Sequence, residues 1–218
     1  MKKFALICAT VGCLMVGGTQ AAIVTHTTDF IADGTRSNFN GFEAIPNDGS
    51  YFTGGSGPYS EGGISVEQVN GDPGNTIWVN YLPAGTQGVH AWYPDGADKG
   101  YTRITMTNGS DFSDVGFGVG SGGGETTVSF ELYDNGVLVL SGSSPMAGNY
   151  LGFSGGGFDT ILLADQCCGA SDVTGGGFQA LVVDSIETSG GTVPEPGTLA
   201  LLGLALAGVA ASRRKSGA

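Results

Sequence analysis

Four glycine clusters, GGSG at 54–57, GSGGG at 120–124, SGGG at 154–157 and TGGG at 174–177, constrain this chain more than any other feature. Glycine costs helices and strands roughly 0.5–1 kcal/mol per interior position relative to alanine, so such clusters belong between elements, where the backbone must turn. The stretches they separate are short and rich in β-branched and aromatic residues. Residues 101–107 read YTRITMT and alternate cleanly; 126–133 read TTVSFELY, with Val128, Phe130 and Leu132 on one face. Further strands are expected over 64–69, 76–81, 114–119, 137–140, 159–164 and 178–186. No segment between these limits sustains an i, i+3, i+4 apolar stripe. Asn135-Gly136, set between TTVSFELY and VLVL, supplies the two positive φ angles of a tight hairpin. An all-β antiparallel sandwich follows, with wide glycine-rich loops. Forty-one glycines in 218 residues also suit a disordered chain, but the apolar strands are too regular for that.

The two ends are of another kind. Lys2 and Lys3 precede an apolar run at 4–16, and small residues surround Ala21. This is the pattern of a secretory signal peptide over residues 1–21, with a signal helix too short to span a membrane. At the other end, Pro194-Glu195-Pro196 is followed by an uncharged, Leu- and Ala-rich run at 197–212 and then by Arg213, Arg214 and Lys215. Proline separates the run from what precedes it. Sixteen helical residues reach about 24 Å, short of a hydrocarbon core of about 30 Å, so a weak transmembrane anchor is expected. The basic cluster should stay cytoplasmic and leave the rest of the chain outside.

These C-terminal residues resemble the PEP-CTERM sorting signal of Gram-negative bacteria. The resemblance implies recognition and processing by exosortase, export by the secretion machinery, transient tethering to the inner membrane and delivery to the cell surface or exopolysaccharide matrix. It covers residues 193–218 and leaves 22–192 as the ectodomain.

Within the ectodomain, three basic residues (Arg36, Lys99, Arg103) face nineteen acids, a net charge near −16. Such a body repels nucleic acid, which needs clustered Lys and Arg. The two cysteines left after the signal peptide, Cys167 and Cys168, are adjacent. They can form a vicinal disulfide, pair with another chain or stay free, and a local clamp is the favoured reading in an oxidising compartment. Catalytic motifs occur by letter only. Gly152-Phe153-Ser154-Gly155-Gly156 fits G-x-S-x-G, but the helix a nucleophile elbow requires is replaced by glycines and another strand. The stretch 118–123 fits G-x-G-x-x-G, but a strand follows it, so it reads as a loop. His26 and His90 have no partner evident in the sequence. Asp72, Asp95, Asp98, Asp111 and Asp114 lie in turn-like stretches that suit calcium without matching a known loop pattern.

The body also resembles jelly-roll carbohydrate-binding modules. Gly41-Phe42-Glu43, 59–64 (YSEGGI), 158–161 (FDTI) and 180–186 (ALVVDSI) carry the likeness. The lack of a positioned nucleophile, base or zinc cluster favours a non-catalytic surface or matrix protein, with no required cofactor, whose sandwich binds polysaccharide or self-associates. The resemblance implies a structural calcium between an early acid, Glu43, and a late one, Asp184. Asp184 has a second argument: it closes an otherwise apolar run, where an unpaired carboxylate is costly to bury. Pointing to solvent by simple alternation is the competing expectation. A secreted hydrolase of matrix polysaccharide is the alternative function.

Overall fold

The structure is a computed structural model and describes residues 22–45, 58–69, 77–79, 82–93, 100–165 and 180–190. The expected signal helix, the sorting helix with Pro194, Glu195, Pro196, Arg213, Arg214 and Lys215, and the pair Cys167 and Cys168 lie outside the described residues.

Among the described residues thirteen strands form in chain order: β1 (Val24–His26), β2 (Arg36–Asn40), β3 (Tyr59–Glu61), β4 (Ile64–Val69), β5 (Ile77–Val79), β6 (His90–Trp92), β7 (Tyr101–Met106), β8 (Phe112–Ser121), β9 (Thr127–Asp134), β10 (Val137–Pro145), β11 (Tyr150–Phe158), β12 (Thr160–Asp165) and β13 (Leu181–Ser189). All pairs are antiparallel, in two sheets. One runs β1-β11-β8-β13-β6-β5, with β2 also on β13; the other runs β10-β9-β12-β7-β4-β3. The central rows, β2-β13-β8-β11 and β7-β12-β9-β10, have jelly-roll order, because the chain crosses between sheets at each step from β7 to β13 except the β9–β10 hairpin. That hairpin turns on Asn135 and Gly136, with φ of 49° and 78°, and pairs Asp134 with Val137 as the dipeptide predicts.

Alternation builds the core. Val115, Phe117 and Val119 of β8, Leu151 and Phe153 of β11, and Leu181 and Val183 of β13 meet Val128, Phe130 and Leu132 of β9, Ile161 and Leu163 of β12, and Ile104 of β7. Phe130 and Phe153 join the two sheets edge to face, with centroids 4.9 Å apart. Each such side chain stabilises by roughly 1.5–3 kcal/mol on burial.

Two glycine-rich stretches depart from the loops expected of them. Residues 118–121 belong to the ten-residue strand β8, and 150–158 form β11. From Val115 to Val119 of β8 every second residue is apolar and faces the core, so Gly116, Gly118 and Gly120 form the strand's other face. The periodicity is that of a strand with its outward side chains deleted. The loop begins only at 122.

Candidate functional site

The outward glycine face of β8 is where the rest of the sheet crowds in. A Cβ on Gly116 would stand 1.8 Å from the Tyr150 hydroxyl, and one on Gly118 would stand 2.2 Å from Thr86 Cγ2. Tyr150 and the 82–88 segment therefore lie directly on the strand, which only glycine permits.

Beside this face, β13 carries a bulge. Asp184 pairs with Gly118 and Glu187 with Gly116, so Ser185 and Ile186 together oppose Phe117. Ser185 takes φ of 50°, the left-handed region that a bulged residue uses. Residues three apart on a regular strand point to opposite faces. The extra residue puts Asp184 and Glu187 on the same outward face while Ile186 stays in the core. The bulge also divides the far edge of β13: Val183 pairs with Trp92 of β6, and Ile186 with Asn40 of β2.

Both acids are buried, at 0% and 3% exposure. Asp184 Oδ1 accepts from Ser185 N at 2.5 Å, and Oδ2 is buried without a hydrogen-bond partner among the described residues. Burial pushes this carboxyl up to about 7, against Thr86 and the Ser185 N–H; the Glu43 charge adds to the rise. Asp184 thus does not point to solvent: the 82–88 segment covers it, tied down by Gln87 N donating to Ser185 Oγ at 2.9 Å. Burial likewise raises Glu187 to about 7, opposed by the Arg36 guanidinium and reinforced by Asp29. Arg36 donates to Glu187 through Nε and reaches Asp33 through Nη2 at 2.6 Å.

Glu43 lies near Asp184 in the electrostatic sense but has partners of its own. Phe42 adopts φ of 60°, its N–H donating to Asn40 Oδ1, and its ring packs in the core against Tyr59 and Trp92. That reversal aims Glu43 at the start of β6. Its Oε1 accepts from Val89 N at 2.6 Å and His90 N at 2.8 Å, and its Oε2 meets His90 Nδ1 at 3.0 Å. Burial raises the Glu43 carboxyl, but the His90 and Val89 bonds outweigh it and the net shift is downward. Gly88 makes room, since a Cβ there would sit 2.1 Å from Oε1. His90 is a buried strand residue, with Nε2 unpartnered.

As calcium ligands the two acids fit unequally. Asp184 offers a buried, unused oxygen. Glu43 is largely satisfied by protein N–H groups. Among the described residues, the carboxylates that come within 4.8 Å of one another as a trio are instead Asp111, Asp134 and Asp159, at the end of the sandwich with the β9–β10 turn. Burial and the charges of Asp134 and Asp159 raise Asp111. Asp114 sits in β8 rather than a turn and accepts from Ser189 Oγ at 2.7 Å. Asp72, Asp95 and Asp98 lie outside the described residues.

Ser154 of the G-x-S-x-G stretch bonds His26 Nε2 at 2.8 Å, a partner the sequence did not reveal. The serine sits inside β11, in register between Val24 and Asp114, with no nucleophile elbow. The His26 ring stacks on Phe30 at 3.9 Å. Among the described residues no carboxylate bonds His26, so the acid of a relay is missing there.

Arg36, Asp29, Tyr150 and Glu187 were not anticipated from sequence. The available signal was V-V-D-S-I-E, two acids three apart in an apolar run, which only a bulge reconciles with one buried face.

The molecule is thus a jelly-roll-ordered β-sandwich with an acidic, loop-covered outer face on one sheet. Its address is specific: residues 192–215 match the family model of the PEP-CTERM protein-sorting motif, and the chain carries that signal. The motif marks a secreted protein of Gram-negative type that exosortase processes. No curated protein and no solved structure matches the chain. Among the described residues no helix is long and apolar enough to cross a membrane; the run at 197–212 is not among them.

Proposed function

We propose that this is a non-catalytic protein of the cell surface or exopolysaccharide matrix, whose sandwich binds polysaccharide after exosortase sorting. The sorting motif at 192–215 carries the reading, because it gives the sandwich an extracellular destination. The jelly-roll order and a body near −16 suit a soluble binding module. A hydrolase of the same polymers is the second reading, and the Ser154–His26 bond is the observation in its favour. Passing the secreted protein over a panel of immobilised polysaccharides separates them: retention without release of sugars is expected, and steady release of reducing ends would establish the hydrolase.

Calcium belongs to the same proposal, anchored on Asp184 Oδ2 with Glu43 as a neighbouring acid. A cation there would satisfy an oxygen that now has no partner and offset the repulsion between two like charges. Thermal melts in calcium and in chelator, at fixed ionic strength, test it. A higher melting temperature in calcium is expected, and Asp184→Asn should abolish the difference. Equal melts remove the site.

A further inference from the structure

Two depressions lie end to end along the outward glycine face of β8. The first, of about 250 Å³, has Gly118, Ser185 and Glu187 beneath it and is flanked by Asp29, Arg36 and Tyr150. The second, of about 300 Å³, lies over Gly120 and Val182 against Leu82 and Pro83, and among the described residues no charged one lines it. Ala84 and Asn149 line both, so the two hollows adjoin where the 82–88 segment faces the 148–150 turn. From Gly118 in the first hollow to Gly120 in the second the strand rises about 7 Å, at roughly 3.3 Å per residue. The hollows therefore form one elongated groove rather than a round pocket.

Its chemistry divides along its length. The charged half pairs a guanidinium with a buried carboxylate and adds Asp29 and the Tyr150 hydroxyl. That hydroxyl is buried at Gly116, next to the Glu187 carboxyl, and borders the groove. Donors and acceptors alternate over a few ångströms, an arrangement that suits adjacent hydroxyl groups, each of which both donates and accepts. The other half offers the apolar edges of Leu82, Pro83 and Val182 with Asn149 and Ser121, a surface that suits the C–H face of a saturated ring. Two carboxylates against one guanidinium, on a body near −16, repel an anionic ligand.

We propose that this groove binds a short stretch of neutral polysaccharide laid along β8. Hydroxyl groups of one sugar are held by Arg36, Glu187, Asp29 and Tyr150, and the next ring packs over Gly120. The assignment rests on the polysaccharide-binding reading above and gives it a place and a charge class. Gly120 then serves binding: without a side chain it leaves the floor of the second hollow open, whereas Gly116 and Gly118 make room for Tyr150 and Thr86.

Affinity electrophoresis of the secreted protein in gels containing dextran, alginate or chitosan tests the groove, using neutral, anionic and cationic polymers in turn. Retardation by dextran and none by alginate is expected. Tyr150→Phe, which removes one hydroxyl, should weaken it about tenfold. Gly120→Ala should weaken it too by narrowing the second hollow; a Cβ there meets Pro83 at 3.7 Å, an ordinary contact, so the fold tolerates it. Leu138→Ser, on β10 of the other sheet, should change nothing. Dextran retardation that both groove variants leave intact overturns the groove and keeps the general reading. Preference for alginate or chitosan overturns the neutral class. No retardation of the parent protein by any of the three overturns both.

Discussion

Asp184 is a single residue whose position sets a pH dependence. Its carboxyl and that of Glu187 are raised by burial to about 7, well above their ordinary values of 3.8 and 4.5. Between about pH 4 and pH 7 the folded chain holds protons that the unfolded chain has released, so stability is greatest below that window and falls as pH rises through it. Melting temperature at high salt, which screens the general surface repulsion, should therefore decline from pH 4 to pH 8. In chelator at pH 8, Asp184→Asn should melt higher than the parent. It removes a buried charge with one unpartnered oxygen, a cost of about 1–3 kcal/mol. A flat or rising profile in the parent would contradict the burial of these acids as charged groups. Sequence alone placed Asp184 in an apolar run and left open whether it was paired or solvent-facing. The deciding contact, the cover by 82–88, comes from residues about a hundred positions away.

At the level of elements, β8 and the β13 bulge work together. The bulge turns two acids to one face, and the glycine face opposite lets Tyr150 and the 82–88 segment close over them. Gly118→Val should lower stability by about 1–3 kcal/mol, because its Cβ would overlap Thr86 and force the cover off the sheet. Gly120→Ala should stay within about 0.5 kcal/mol of the parent. Paired chemical melts measure both, and equal losses at the two positions would show that the covering contact is not what Gly118 protects. The strands at 64–69, 101–106 and 127–134 were legible to within a residue or two because alternation and β-branched residues announce them. β11 was hidden by its own glycines. β1, β2, β3 and β6 were hidden by brevity and polarity, since each is held by a neighbouring strand rather than by its own pattern.

For the whole molecule, the sorting motif predicts processing at both ends. Intact-mass measurement on protein recovered from the cell surface should show loss of 1–21 and of the residues beyond the Pro-Glu-Pro triplet. Arg213 to Lys215 still attached in surface-delivered protein would refute it. Glu195→Ala should leave the uncut form in the membrane fraction.

The sequence by itself determined the address and the class of fold. Both are local properties: a proline-bounded apolar run with a basic end, and period-two strands broken by glycine, are written in consecutive residues. Tertiary structure decided the site. Glu187 joins Asp184 only through a bulge whose register is set by β8. Glu43 turns from Asp184 toward His90 only because Phe42 is drawn into the core. Tyr150 reaches the groove only because Gly116 has no side chain. Each depends on which strands become neighbours, and burial and backbone pairing across the sandwich fix that choice where no local pattern records it.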